Sequence, residues 1–184
     1  FGFFPGWPVT TFACAARDAA DLDPPDTLSL RAARPHDVPQ LHTLHERHFG
    51  AHVTLTRTPQ LWLWRIVTGM PPALVVACEH TPTLYGYIAG ADLLSSEVEV
   101  VADTPESART LLSYVGYNAV NAGIHELRWI IAPDSVLLAF ARDLLDVTLT
   151  AHYPRRGGWL ARLIDTRGLV DALLPEIDAH LQHS

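Results

Sequence analysis

Histidine is the first residue type in this chain that could do chemistry. His36, His42, His45, His48 and His52 lie close together. Two imidazoles at i, i+4 on one helical face can hold a metal ion. His48 and His52 have that spacing, but Gly50 lies between them and breaks the helix. His42 and His45 are one turn apart, and His45-Glu46-Arg47-His48 is one residue shorter than an H-E-x-x-H pattern. The expectation is a solvated or half-buried helix face and no metal site. Cys14 and Cys78 are expected as two unpaired core thiols in a reducing compartment, which points to the cytoplasm. Arg155-Arg156-Gly157-Gly158 has the look of a phosphate loop, yet it falls between two predicted strands rather than before a helix, so a hairpin turn is expected there. Trp62 and Trp64, two apart on a predicted helix, point to different faces: one to the core, the other toward a neighbouring domain.

The elements that must position these residues follow from periodicity and punctuation. A strand is predicted over Val9–Ala15, then a linker at Asp21-Leu22-Asp23-Pro24-Pro25-Asp26. Leu28, Leu30 and Ala32 alternate with polar residues in a strand over 28–33. Asp37 reads as the N-cap of a helix on which Val38, Leu41, Leu44 and His45 fall at helical spacing. Thr58-Pro59 starts a second helix that ends at Gly69. Strands over 73–79 and 84–93, joined by His80-Thr81-Pro82-Thr83, read as a hairpin. A strand over 97–102 puts Val98 and Val100 on one face, Glu97 and Glu99 on a solvated one. Asp103 is expected to cap a helix that runs to about Ala122, is closed by Gly123, and faces inward with Leu111, Leu112, Val115, Ala119 and Val120. A strand over 127–132, a helix starting at Pro133-Asp134, hairpin strands over 147–153 and 159–164, and a last helix from Asp165-Thr166 complete the order. The fold class is α/β (α+β): a mixed, mostly antiparallel sheet flanked by helices.

Composition removes several function classes. The chain has 184 residues, 48% of them hydrophobic and 18% charged, with a formal charge of −7. A folded core is expected, and no basic face for nucleic acid. No apolar run approaches the roughly 20 residues of a membrane span. The opening Phe-Gly-Phe-Phe-Pro-Gly-Trp lacks a basic n-region, so it does not read as a signal peptide. The only methionine is Met70, and the expectation is a section of a longer protein.

The order of elements over 28–153 resembles that of the GNAT N-acetyltransferases, as do the runs Leu30-Arg31-Ala32-Ala33-Arg34-Pro35-His36-Asp37 and Leu84-Tyr85-Gly86-Tyr87-Ile88-Ala89. Phe1-Gly2-Phe3-Phe4-Pro5 is similar to the close of a preceding GNAT domain. Arg57-Thr58-Pro59-Gln60-Leu61-Trp62 resembles the "R-T-P-x-x-W" of the second GNAT domain in tandem proteins of the enhanced-intracellular-survival type. Trp159-Leu160-Ala161-Arg162-Leu163-Ile164-Asp165 resembles the entry into their sterol-carrier-like domain. The resemblance implies three parts: 1–22, the tail of one GNAT domain; 27–153, a GNAT-like domain; and 154–184, a strand and helix leading into the sterol-carrier-like domain. It implies those neighbouring domains as partners, with a homo-oligomer as a further expectation and neither nucleic acid nor membrane.

The resemblance also implies acetyl-CoA as cosubstrate, held where a strand feeds its following helix through Arg/Gln-x-x-Gly-x-Gly/Ala. The matching stretch is Val101-Ala102-Asp103-Thr104-Pro105-Glu106-Ser107-Ala108-Arg109, which has no glycine. Small residues would let backbone N–H groups reach the diphosphate, and the helix dipole would favour it. Pro105 removes a donor, and Asp103 and Glu106 add like charge. Arg109 is a weak candidate for an anion. The family's general acid is often a tyrosine near "Y-x-x-x-G-F"; the matching Phe140-Ala141-Arg142-Asp143-Leu144-Leu145 has neither tyrosine nor glycine, and the nearby hydroxyl, Tyr153, is expected to pack as a strand aromatic. Glu97 and Glu99 lie on the strand where some relatives hold a general base. No catalytic or cofactor-binding residue is assigned, and no cofactor is expected for this chain. The leading expectation is a degenerate, non-catalytic GNAT domain of an N-acetyltransferase. The alternatives are a free-standing GNAT enzyme with a divergent CoA loop and a non-enzymatic interaction module.

Overall fold

The computed structural model describes residues 4–5, 9–49, 57–68, 74–90, 98–131, 135–152 and 160–161. The chain divides into two compact units, one of 1–8 with 152–184 and one of 9–151. In the first, β1 (Phe4–Pro5) pairs antiparallel with β9 (Leu160–Ala161). Among the described residues β9 pairs with β1 and not with β8, unlike the hairpin expected between 147–153 and 159–164, whose turn lies outside the described residues. Backbone groups pair with whichever edge tertiary packing presents, and two residues carry no pattern that names it.

The second unit holds two sheets. One has the order β3-β4-β5-β6, from Ser29–Ala32, Leu74–His80, Thr83–Gly90 and Glu99–Ala102. Each neighbouring pair in it is antiparallel. The predicted hairpin is β4 and β5, with a register shift at Cys78/Glu79. The other sheet has the order β7-β2-β8, from Glu126–Ile130, Val9–Ala15 and Thr148–His152. Phe12 and Trp129, opposite each other on β2 and β7, stack with centroids 5.2 Å apart. The predicted mixed α/β architecture is the one observed.

Helices cover both faces of the four-stranded sheet. α2 (Val38–Phe49) and α3 (Pro59–Thr68) lay Val38, Leu41, Leu44 and Trp62 against Leu84, Tyr87, Ala89 and Val101. On the opposite face, α4 (Pro105–Asn121) and α5 (Val136–Leu144) join a core with Cys78, Ile88 and Ala102. That core also takes in Phe12, Cys14, Leu127 and Trp129 from the second sheet. α1 (Ala16–Ala20) reaches it through Ala16 and Ala19. Gly116 makes this approach possible, because a Cβ there would meet the backbone of Ala19 and Ala20. Cys14 and Cys78 are both buried and unpaired. Burial comes first among the causes that raise each thiol to about 12, so neither is a ready nucleophile.

Three expectations about helices are corrected. Asp37 does not cap α2. It closes a 3-10 turn, Pro35–Asp37, where its carboxylate accepts from the Arg34 N–H at 2.6 Å. Pro39 lies in the first turn of α2, where a helix tolerates the missing N–H. Asp103 does not cap α4; Thr104 does. Val120, expected inside, is 46% exposed, since the inward stripe of α4 turns away from it after Val115 and Ala119. Gly123, at φ +75°, follows α4 as expected. Among the described residues, no helix is long and apolar enough to cross a membrane.

Candidate functional site

Polar groups gather at the start of α4 and on the face that β5 and β6 turn toward α2 and α3. At the start of α4, Thr104 Oγ1 accepts from the Ser107 N–H at 3.1 Å, and Ser107 Oγ accepts from the Thr104 N–H at 3.1 Å. This is a reciprocal capping box, and Pro105 follows at the first helical position. The Ala108 N–H donates to the Thr104 carbonyl at 2.9 Å. Glu106 stands exposed in the first turn. Asp103 turns back to α2, pairing with Arg47 and with His48 Nε2 at 2.8 Å. Its own N–H donates to the Tyr85 carbonyl at 2.8 Å, which ties the helix entrance to β5. Beside this entrance is a cavity of about 240 Å³ bounded by Thr27, Leu28, His80, Tyr85, Thr104 and Glu106. Arg109 is half-buried on α4, with no hydrogen bond or ion pair among the described residues.

On the other face, β6 points Glu99 inward. The solvated face expected for it is corrected: its side chain is 17% exposed. α2 and α3 cover that side of the sheet, so the polar side of the Val98/Glu99 alternation is enclosed as well. Glu99 Oε1 accepts from Tyr87 Oη at 2.6 Å and from Arg57 Nη1 at 2.7 Å. His45 Nδ1 lies 3.2 Å from Tyr87 Oη and 3.6 Å from Glu99 Oε1. Burial acts to raise the Glu99 carboxyl, but contact with His45, the Arg57 charge and the Tyr87 hydroxyl outweigh it and hold the group below the usual glutamate range. Burial, then the Glu99 charge, pushes the Tyr87 hydroxyl well above the usual phenol range. Arg65 is lowered, first by burial and then by the Arg57 charge. A carboxylate held in this state is a hydrogen-bond acceptor and a weakened base.

The predicted residues divide between these two places. His45 and Glu99 meet in the second, and His48 meets Asp103 beside the first. His36 is exposed, and His42 Nδ1 lies 3.0 Å from the Arg57 carbonyl. Among the described residues no group of three or more histidine, cysteine or acidic side chains could hold a metal. Trp62 is buried and Trp64 is 47% exposed, so one indole of the pair lies in the core as expected. On α5, Phe140 is half-buried and Ala141 buried. Gly50, His52, Gly69, Glu97, Tyr153, the 155–158 turn, the Pro133-Asp134 helix start and the helix from Asp165 lie outside the described residues. Tyr87 and Arg57 were not foreseen as site residues. The sequence signal for Arg57 was its place five residues before Trp62, across a Thr-Pro helix start that turns the indole back beneath it.

No family model matches the chain, and no curated protein matches it significantly. Its structure is similar to a GCN5-related N-acetyltransferase from Kribbella flavida, with a TM-score of 0.53 and 16% identity over 88% of this chain and 38% of that one. A GCN5-related N-acetyltransferase from Anabaena variabilis gives 0.52 and 15%, covering 80% of this chain and 39% of that one. Eis1 from Mycobacterium abscessus gives 0.51 and 22%, covering 94% of this chain and 45% of that one. The chain thus spans less than half the length of these three structures. At these identities the likeness speaks for architecture, and the strand and helix order already described agrees with it. The chain has the fold of the GCN5-related N-acetyltransferases.

Proposed function

We propose that this chain is a segment of a longer N-acetyltransferase, one that moves an acetyl group from acetyl-CoA to an amine, and that the segment is a degenerate domain with no acetyl-CoA site of its own. The observation that carries this is the entrance to α4. A helix start grips a diphosphate through converging, unengaged N–H groups on small residues. Here Pro105 has no N–H, and the Ser107 N–H is spent on Thr104. Glu106 brings a carboxylate to the same turn. These residues do not fit the diphosphate.

The Glu99 cluster supports the same reading. A general base needs a lone pair free to take a proton from the amine. The Glu99 oxygen that faces Tyr87 and Arg57 already accepts from both. The outer face of α3, with Leu63 44% and Val67 64% exposed, is suited to burial against a neighbouring domain of the longer protein. Isothermal titration of the chain with acetyl-CoA tests the proposal. The expected result is no saturable heat at millimolar ligand. Micromolar binding would instead favour a free-standing acetyltransferase with a divergent loop.

A further inference from the structure

Arg57 places a guanidinium in an enclosure built from α3, β5 and β6. Its Nη1 donates to Glu99 Oε1 at 2.7 Å, and its central carbon lies 5.1 Å from the Trp62 ring centroid. Trp62 meets Tyr87 edge-on, with centroids 5.2 Å apart at 80°. The Tyr87 hydroxyl donates to the oxygen that receives Arg57 and so fixes that carboxylate. Trp62 and Tyr87 are fully buried, and the Arg57 side chain is 14% exposed. The ion pair is thus largely removed from water but still at the edge of the core. His45 Nε2 and Trp62 Nε1 are also buried, without a hydrogen-bond partner among the described residues. Polar capacity is concentrated here where an apolar core would serve stability equally well.

An indole face, an ionised carboxylate and a hydroxyl that orients it are the elements by which proteins recognise organic cations. We propose that Glu99, Tyr87 and Trp62 form a binding cage for an organic cation, a guanidinium or alkylammonium group, and that Arg57 occupies it in cis. Arg57 and Trp62 begin and end the Arg57-Thr58-Pro59-Gln60-Leu61-Trp62 run. Thr58 accepts from the Leu61 N–H at 3.3 Å and Pro59 opens the helix, so the arginine stays off α3 while the indole sits one turn inside it. A free cation of the same chemistry competes with Arg57 for the cage and fills it when Arg57 is removed. Arg65 is the second guanidinium whose charge reaches Glu99 and Tyr87. The double variant removes it together with Arg57. The inference does not depend on whether the chain binds acetyl-CoA.

The test is chemical rescue of the full chain. Arg57→Ala and the double variant Arg57→Ala/Arg65→Gln are titrated with methylguanidinium chloride, with sodium chloride at matched ionic strength as control. Thermal unfolding and tryptophan fluorescence are the readouts. At twenty times its dissociation constant, methylguanidinium is expected to raise the Tm of at least one of these variants by about 3–6 °C. The rise should be saturable and should vanish when Glu99→Gln is added. If the variants do not fold unaided, the same titration reads recovery of soluble, cooperatively unfolding protein. Recovery by methylguanidinium beyond the salt control supports the cage. No rise and no recovery in either variant overturns it, as does a response that survives Glu99→Gln.

Discussion

Arg31 faces two carboxylates at once. Its guanidinium binds Asp37 through both terminal nitrogens, at 2.6 and 2.9 Å, and Glu79 at 2.6 Å. The Asp37 side chain is 2% exposed and that of Glu79 is 11% exposed. Arg31→Met would leave two nearly buried carboxylates without their cation. It is expected to destabilise the chain by about 3–5 kcal/mol, measured by urea unfolding at neutral pH. Glu99→Gln keeps an acceptor for Tyr87 and Arg57 but removes the charge, so Arg57 becomes the uncompensated group. A loss of about 2–3 kcal/mol is expected in the same assay. A variant as stable as the parent would show that the cluster contributes little. Residue scale is where the sequence was least informative. The alternation of Val98 and Val100 with Glu97 and Glu99 defines two faces of a strand, but not what covers each. That depends on Arg57, forty-two positions away, and on Tyr87 from the neighbouring strand.

The elements were more legible, because their signals are local. Val9–Ala15 is a strand at the predicted bounds, and the β4–β5 hairpin and the α4 stop at Gly123 follow from punctuation that acts within a few residues. The misplaced caps at Asp37 and Asp103 have one cause. Both acids precede a helix at a position suited to capping, yet each finds a cation: Arg31 for Asp37, and Arg47 with His48 for Asp103. Each carboxylate is engaged by a cation brought in by the fold, and the backbone N–H that Asp37 does accept from is that of Arg34, not one of α2. Two predictions belong at this scale. Thr104→Ala removes the side chain that accepts from the Ser107 N–H and should cost about 1 kcal/mol by thermal unfolding. Gly116→Ala drives a methyl into the α1 backbone at Ala19 and Ala20 and should cost about 1–3 kcal/mol. An unchanged Tm in Gly116→Ala would contradict the close approach of α1 to α4.

At the scale of the whole molecule, Asp37, Glu79 and Glu99 share a direction among the described residues. Arg31 holds Glu79 low. Burial raises Asp37 and Glu99, but their partners more than offset it, so both titrate below their usual range. A group depressed in the folded state contributes stability that is fully present above its unfolded value, near pH 4–4.5, and is lost as pH falls through the folded value. Stability should therefore be flat in this respect from neutrality to about pH 5 and then fall steeply. Urea midpoints at a series of pH values check it, and Arg31→Met should show a shallower acid slope than the parent.

Two closely engaged places on the sheet lie at the start of α4 and around Glu99. The cap of α4 and the Glu99 carboxylate find their partners within the chain, while His45 Nε2 and Trp62 Nε1 have none among the described residues. The entrance of α4 is the more decisive, because the Ser107 N–H that would donate to a diphosphate already donates to Thr104. The most direct measurement is the amide resonance of Ser107 during titration of the isotopically labelled chain with coenzyme A. This resonance and those of Glu106 and Ala108 should stay in place at millimolar coenzyme A. A saturable shift of Ser107 at micromolar coenzyme A would contradict it.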